Sequence, residues 1–287
     1  MTIDETQRGP ANSMVNKDIG SLPSQFPTLP DNVMQMFMLT GKSAAITGGA
    51  RGIGYVISEA YCQAGVQNLA IIDYADNPTA IEELREKYPK TTVIFRNCDV
   101  RKSEQVKNVI EDIHKEFKAI DIFVANAGIA WTSGALIDQD DDVEWNNVFN
   151  IDLNGVYHCA KYVGRIFREQ GRGSMVMTAS MSAHIVNVPN FQACYNSAKA
   201  AVLHLSKSLA VEWSAFARCN SVSPGYIATE LSDFVPEEQK NGWYALTPKG
   251  RQGLPRELAG AYLYLGSDAS TFTTGADLRV DGGYCSV

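Results

Sequence analysis

The sequence predicts an α/β fold from residue 41 onward: one Rossmann-type, doubly wound parallel sheet with helices on both faces, in a single domain. Three observations carry this expectation. Short runs rich in branched residues alternate with longer runs of helical periodicity, the pattern of a parallel sheet crossed by helices. A glycine-rich turn joins the first strand to the first helix. No internal repeat or low-complexity tract interrupts the alternation.

The expected strands are Ser43–Thr47, Leu69–Asp73, Thr92–Arg96, Ile122–Ala125, Ser174–Thr178, Cys219–Val222 and Asp277–Val280. Over Ile53–Ala64, residues Ile53, Ile57, Ala60, Tyr61 and Ala64 fall on one helical stripe. Ser103 reads as the N-cap of a helix to Phe117, with Val106, Val109, Ile110 and Ile113 facing inward. Long helical patterns follow at about 143–168 and 193–215. Residues 1–40 read as an N-terminal arm, because residues 20–32 hold three prolines and no apolar periodicity. The apolar, Met-rich run Val33–Leu39 is expected to form a short helix, packed on the body or on a neighbouring subunit.

Composition narrows the function. Of 287 residues, 45% are hydrophobic and 20% charged, which excludes a disordered or fibrous chain. No apolar run approaches the roughly 20 residues of a membrane span. The net charge of −7 argues against a nucleic-acid partner, whose phosphates call for clustered Lys and Arg. The expected partners are small molecules and other protein chains. Met1 to Pro10 lacks the basic start and apolar stretch of a secretory signal, and the cysteines at 62, 98, 159, 194, 219 and 285 form no Cys-x-x-Cys pair. A reduced, cytoplasmic setting is expected. The four histidines (114, 158, 184, 204) lie far apart, so no metal site is expected.

The turn Thr47-Gly48-Gly49-Ala50-Arg51-Gly52-Ile53-Gly54 leaves the first strand for the first helix. Gly48, Gly52 and Gly54 permit a tight turn and let the backbone approach a pyrophosphate, while the helix N-terminus offers unpaired N–H groups. A dinucleotide site follows. Asp73 closes the second strand, 19 residues after Gly54, where a carboxylate can accept both adenosine ribose hydroxyls and would repel a 2′-phosphate. NAD is therefore expected ahead of NADP, although the guanidinium of Arg51 beside the turn suits that phosphate. Asp99, after the third strand, reads either as a partner of the adenine amine or as a helix cap.

Tyr195 and Lys199 stand at i and i+4, on one helical face. A phenol is a poor base at neutral pH, but a nearby ammonium favours its phenolate. Tyr195 can then exchange a proton with an alcohol or ketone while hydride moves to or from nicotinamide, and Lys199 can also hold the nicotinamide ribose. The same spacing recurs at Tyr157 and Lys161. Only the later pair follows the strand ending in Thr178-Ala179-Ser180, which delivers a hydroxyl to the sheet edge where ligands of this architecture bind. Ser180 is thus expected to polarise the substrate oxygen, in preference to Ser182.

In order along residues 41–287, the glycine turn, Asn126-Ala127-Gly128, Ser180, Tyr195 with Lys199, Pro224-Gly225 and Asp281-Gly282-Gly283 resemble the short-chain dehydrogenase/reductase family. Within it, residues 151–155, 184–189, Trp243 and 246–248 look like yeast and fungal polyol dehydrogenases, which include mannitol 2-dehydrogenases, sorbose reductases and related carbonyl reductases. The resemblance implies that Asn126 and Gly128 line the ribose side, that Ile227 and Thr229 meet the carboxamide and phosphates, and that the chain forms a homotetramer. The family's helix-borne catalytic asparagine aligns with Asp152, which can still kink the helix and present a carbonyl to a relay water. The fungal relatives more often use NADP, whereas Asp73 points to NAD. The activity implied is reversible hydride transfer between a nicotinamide cofactor and a secondary alcohol or ketone, such as a polyol or ketose. Trp131, His184, Tyr226 and Trp243 are candidates for the substrate wall. The alternatives are a non-catalytic dinucleotide-binding regulator and a 3-oxoacyl-carrier reductase. The latter would need a basic patch, and only the separate Lys240, Lys249, Arg251 and Arg256 are near.

Overall fold

A computed structural model describes residues 26–233 and 235–287. The expected arm therefore lies outside the described residues up to residue 25. Its last part contains a single helical turn, α1 (Val33–Met36), begun by the Asn32 side chain accepting from the Met34 N–H. Val33 and Met34 stay exposed, but Leu39 is fully buried in the same apolar layer as Ile57 and Tyr61 and its N–H donates to the Ala64 carbonyl at 2.8 Å, so the end of the arm packs on the body.

Seven parallel strands follow: β1 (Ser43–Thr47), β2 (Asn68–Asp73), β3 (Thr92–Asn97), β4 (Ile122–Ala125), β5 (Ser174–Thr178), β6 (Arg218–Pro224) and β7 (Asp277–Val280). They lie in the order β3-β2-β1-β4-β5-β6-β7. Every residue of β1, β4 and β5 is buried, because helices cover both faces and remove any need for a polar alternate position. One apolar layer includes Ile110, Phe123, Val163, Phe167 and Trp213; the other includes Ile46, Ile57, Leu69, Tyr61 and Tyr262. The strand order reverses between β1 and β4, which opens a crevice at their carboxyl ends.

The helices are α2 (Gly52–Gln63), α3 (Pro78–Lys87), α4 (Ser103–Phe117), α5 (Val143–Phe149), α6 (Gly155–Gln170), α7 (Ala193–Glu212), α8 (Glu230–Asp233), α9 (Glu237–Leu246) and α10 (Arg256–Gly266). Ser103 is the first residue of α4 rather than its cap; Lys102 holds the cap position, and the Ser103 hydroxyl meets the Tyr162 hydroxyl at 2.8 Å. The single helix expected over 143–168 is divided by a π turn, Asn150–Asn154, that joins α5 to α6. Helix α3, absent from the periodicity reading, shows only Ile81 and Leu84 to the core. It is specified instead by the Asn77 cap and Pro78 in its first turn. Among the described residues, no helix is long and apolar enough to cross a membrane and no side-chain group is arranged to hold a metal ion.

Candidate active site

The crevice is a cleft of about 1210 Å³ running from the glycine turn to the loops after β5 and β6. That is ample for a dinucleotide together with a small substrate. Gly48, Arg51, Gly52, Ile53, Asp73, Asp99, Asn126, Gly128, Asp152, Ser180, Tyr195, Lys199, Ile227 and Thr229 all line it. Gly54 does not; it sits beneath the turn, where a side-chain carbon would fall 1.9 Å from the Gly48 carbonyl oxygen.

The turn fits a pyrophosphate by construction. Gly48 and Gly52 take left-handed φ values of 62° and 52°. Arg51 occupies the N-cap of α2 without a capping side-chain bond, leaving first-turn N–H groups free for an anion. Thr229 lies above Gly52, 3.8 Å from where a Cβ would stand. Asn126 ties the strand ends together: its Nδ2 donates to the carbonyls of Thr47 and Gly48, and its Oδ1 accepts from the Thr178 hydroxyl at 3.1 Å.

At the end of the cleft beside β2 and β3, Asp73 and Asp99 both already accept hydrogen bonds. Asp73 is buried, with Oδ2 accepting the Ala50 N–H at 3.1 Å and Oδ1 the Ala75 N–H at 3.4 Å. Asp99 receives a two-pronged bond from the Arg101 guanidinium, 2.8 Å at each oxygen, plus the Arg101 N–H. Arg101 holds the Asp99 carboxyl below the usual range, against the opposing pull of burial. Its guanidinium also stands over the Tyr74 ring, 5.8 Å from the centroid.

At the other end, Lys199 Nζ lies 5.5 Å from the Tyr195 ring centroid. It donates to the Thr178 carbonyl at 3.1 Å and pairs with Asp152 Oδ2 at 3.1 Å. Asp152, in the π turn, also accepts the Ile129 N–H on Oδ1 at 2.9 Å. Burial pushes the Tyr195 phenol up, as does the Asp152 charge, while Lys199 and a hydrogen bond with Ser180 pull it down; the net is upward. Lys199 holds its proton more tightly than usual because the carboxylate and phenol beside it outweigh burial. The Ser180 hydroxyl accepts from the Ser182 N–H at 3.1 Å. Tyr157 is half exposed on α6, away from the cleft.

The substrate wall differs from expectation in part. Trp131, Tyr226 and Trp243 line the cleft, with Tyr226 and Trp243 stacked face to face at 4.0 Å and 4°. His184 does not; its Nε2 lies 2.9 Å from Asp277 Oδ2, where β7 meets the loop after β5. The sequence reading passed over a row of amides between Ser180 and Tyr195. Asn187 Oδ1 accepts from Ser182 Oγ at 2.8 Å and from Gln192 Nε2 at 2.7 Å, and Gln192 Nε2 also lies 3.1 Å from Asn196 Oδ1. Asn190 receives the Gln239 amide and the Trp243 indole N–H. Their clustering in one loop, Asn187 to Gln192, is the signal that would have found them.

A family model described as enoyl-(acyl carrier protein) reductase matches residues 48–285. A probable NADP-dependent mannitol dehydrogenase of Yarrowia lipolytica is 52% identical over 276 residues, 96% of this chain and 99% of its own. A sorbose reductase of Candida albicans is 50% identical, over 95% of this chain and 97% of its own. Among solved structures, the NADPH-dependent 3-quinuclidinone reductase of Rhodotorula rubra superposes with a TM-score of 0.87 at 40% identity, covering 93% of this chain and all of that one. These cofactor designations overturn the expectation of NAD drawn from Asp73. The physical reason lies in the hydrogen bonds above. Asp73 Oδ2 braces the glycine turn through the Ala50 N–H, a structural duty that accounts for a carboxylate here without NAD and that the sequence position alone could not reveal.

Proposed function

The chain belongs to the short-chain dehydrogenase/reductase family and is an oxidoreductase acting on an alcohol or ketone, and we propose that its substrates are a ketose and the matching polyol, with NADP(H) as cofactor. The observation that carries the substrate class is the cleft wall. Asn187, Asn190, Gln192 and Gln239 supply neutral donors and acceptors, and the stacked Tyr226 and Trp243 supply a flat apolar face. That mixture suits a neutral polyhydroxylated chain. Among the described residues the cations lining the cleft are Arg51, Arg101 and Lys199, none of which belongs to this wall, so a sugar acid would find no counter-charge from them there.

For the cofactor, the names of the relatives support NADP(H), and so does Arg51. Its side chain makes no hydrogen bond or ion pair among the described residues and stands at the N-cap of α2, suited to a ribose phosphate. Gly48, Gly52, Ile53 and the α2 N-terminus would hold the pyrophosphate, with Thr229 above it; Gly54 would let the turn close. Asn126, Gly128, Lys199 and Ile227 would border the nicotinamide end, and Asp99 with Arg101 the adenine end. When bound, the reduced cofactor supplies hydride to the carbonyl carbon. Ser180 would hydrogen-bond the carbonyl oxygen, and as the C=O π pair shifts to that oxygen, Tyr195 would donate its phenolic proton there. The resulting phenolate would be stabilised by Lys199, itself held by Asp152 and the Thr178 carbonyl, until solvent returns the proton.

A carrier-bound acyl substrate has less support. Of the four basic residues that could meet an acidic carrier, Lys240 pairs with Glu237, Arg251 with Glu257 and Arg256 with Glu59. The exposed Tyr157 of α6 and Val211 of α7 offer apolar surface to the homotetramer we propose; free cysteines throughout the described residues support a cytoplasmic setting. The test is Tyr195→Phe assayed with NADPH on fructose, sorbose and xylulose. The variant should bind NADPH with unchanged fluorescence quenching and lose roughly 10²- to 10⁴-fold in turnover. Undiminished turnover would end this reading.

A further inference from the structure

The charge that favours the Tyr195 phenolate is already answered by another. Asp152 Oδ2 lies 3.1 Å from Lys199 Nζ, and the side chains are 0% and 3% exposed. Asp152 Oδ2 finds no hydrogen bond of ordinary geometry, so its partner is the ammonium charge itself. The absence of a side chain at Gly128 leaves room for the pair, since a Cβ there would stand 3.0 Å from Oδ2 and 3.3 Å from Nζ. The pair is fixed at its far ends by the Ile129 N–H and the Thr178 carbonyl. Seen from the phenol, a lysine paired so closely presents a dipole, whose field falls off faster than that of a free cation.

We propose that Asp152 is a positioning residue that balances the charge of Lys199 and so keeps Tyr195 protonated through the neutral range, loading the resting site to donate a proton to a ketone rather than to take one from an alcohol. This rests on the acid/base role given to Tyr195 above. The ionisable and polar groups facing the phenol act as follows. Lys199, on the same helix, and Ser180, at the end of β5, favour the phenolate; Asp152, from the π turn, and burial disfavour it. Tyr262 on α10 couples to Tyr195 and is itself held neutral by burial. Burial, and after it Asp152, push the Cys194 thiol up to about 11, so it stays a thiol. Burial pushes the Asp152 carboxyl itself up, while Lys199 and the Ile129 N–H pull it down; held 3.1 Å from the ammonium, it is the carboxylate that opposes Lys199 at this phenol among the described residues.

Removing the carboxylate charge while keeping the shape should unmask the lysine. In Asp152→Asn, the acid limb of kcat/KM for polyol oxidation should move down by about one pH unit, the size expected when one neighbouring charge changes. The basic limb of ketose reduction should fall with it, and Asp152→Glu should restore both towards the native positions. Ultraviolet difference titration of the cofactor-free protein, native minus Tyr195→Phe and each variant minus its own Tyr195→Phe double, reads the same phenol without turnover. Asp152→Ser provides a second neutral replacement should the asparagine variant fold poorly. Limbs and titration that stay in place, or move up, in a folded neutral variant would overturn the proposal. A wild-type protein inactive on every ketose and polyol, yet showing the downward shift in titration, would instead sink the functional reading and leave the charge balance standing.

Discussion

Gly128→Ala tests how tightly the site is built. The new Cβ would stand 3.0 Å from Asp152 Oδ2 and 3.3 Å from Lys199 Nζ. Neither atom can retreat freely: Asp152 is anchored by the Ile129 N–H at 2.9 Å and Lys199 by the Thr178 carbonyl at 3.1 Å. The backbone itself accepts alanine, because Gly128 is not among the glycines with positive φ. The cost is therefore one of overpacking, about 1–3 kcal/mol. For a chain of this size that corresponds to roughly 2–5 °C in Tm. Displacing Lys199 by a fraction of an ångström relative to Tyr195 should also reduce kcat by on the order of 10- to 100-fold. Thermal unfolding by circular dichroism and steady-state ketose reduction measure the two effects on one preparation. A variant that melts and turns over like the native protein would refute the claim that glycine is kept here to seat the ion pair.

The remaining predictions concern the two ends of the cleft. Arg51→Ala should raise KM for NADPH by roughly 10- to 100-fold, the loss of one charge-assisted phosphate contact, and leave KM for NADH nearly unchanged; initial rates with both cofactors decide it. Gln192→Leu should lower kcat/KM for a ketose by about 10-fold or more while sparing a simple apolar ketone, because only the former offers hydroxyls to the amide row. Equal losses on both substrates would mean that Gln192 merely shapes the loop.

Residue pattern alone determined much of this protein. Parallel strands buried on both faces read as short branched runs, so β1, β4, β5 and β7 stand where they were expected, and the other three differ only by added end residues. The glycine turn and the Tyr195/Lys199 spacing were legible for the same reason: turn geometry and helical periodicity are local rules written into neighbouring residues. Helix α3 was missed because its apolar face is two residues wide, and the π turn because a change of helical pitch leaves no periodic mark. What an ionised side chain faces depends on distant segments. Sequence placed Asp73 at a ribose-binding position; only the folded chain brings the Ala50 N–H, 23 residues away, onto its carboxylate. Likewise Asp152 and Lys199 are 47 positions apart in the numbering and meet at 3.1 Å because the π turn, β5 and α7 converge at the crevice. Electrostatic partnership is set by through-space distance and burial, and those exist only once the chain has folded.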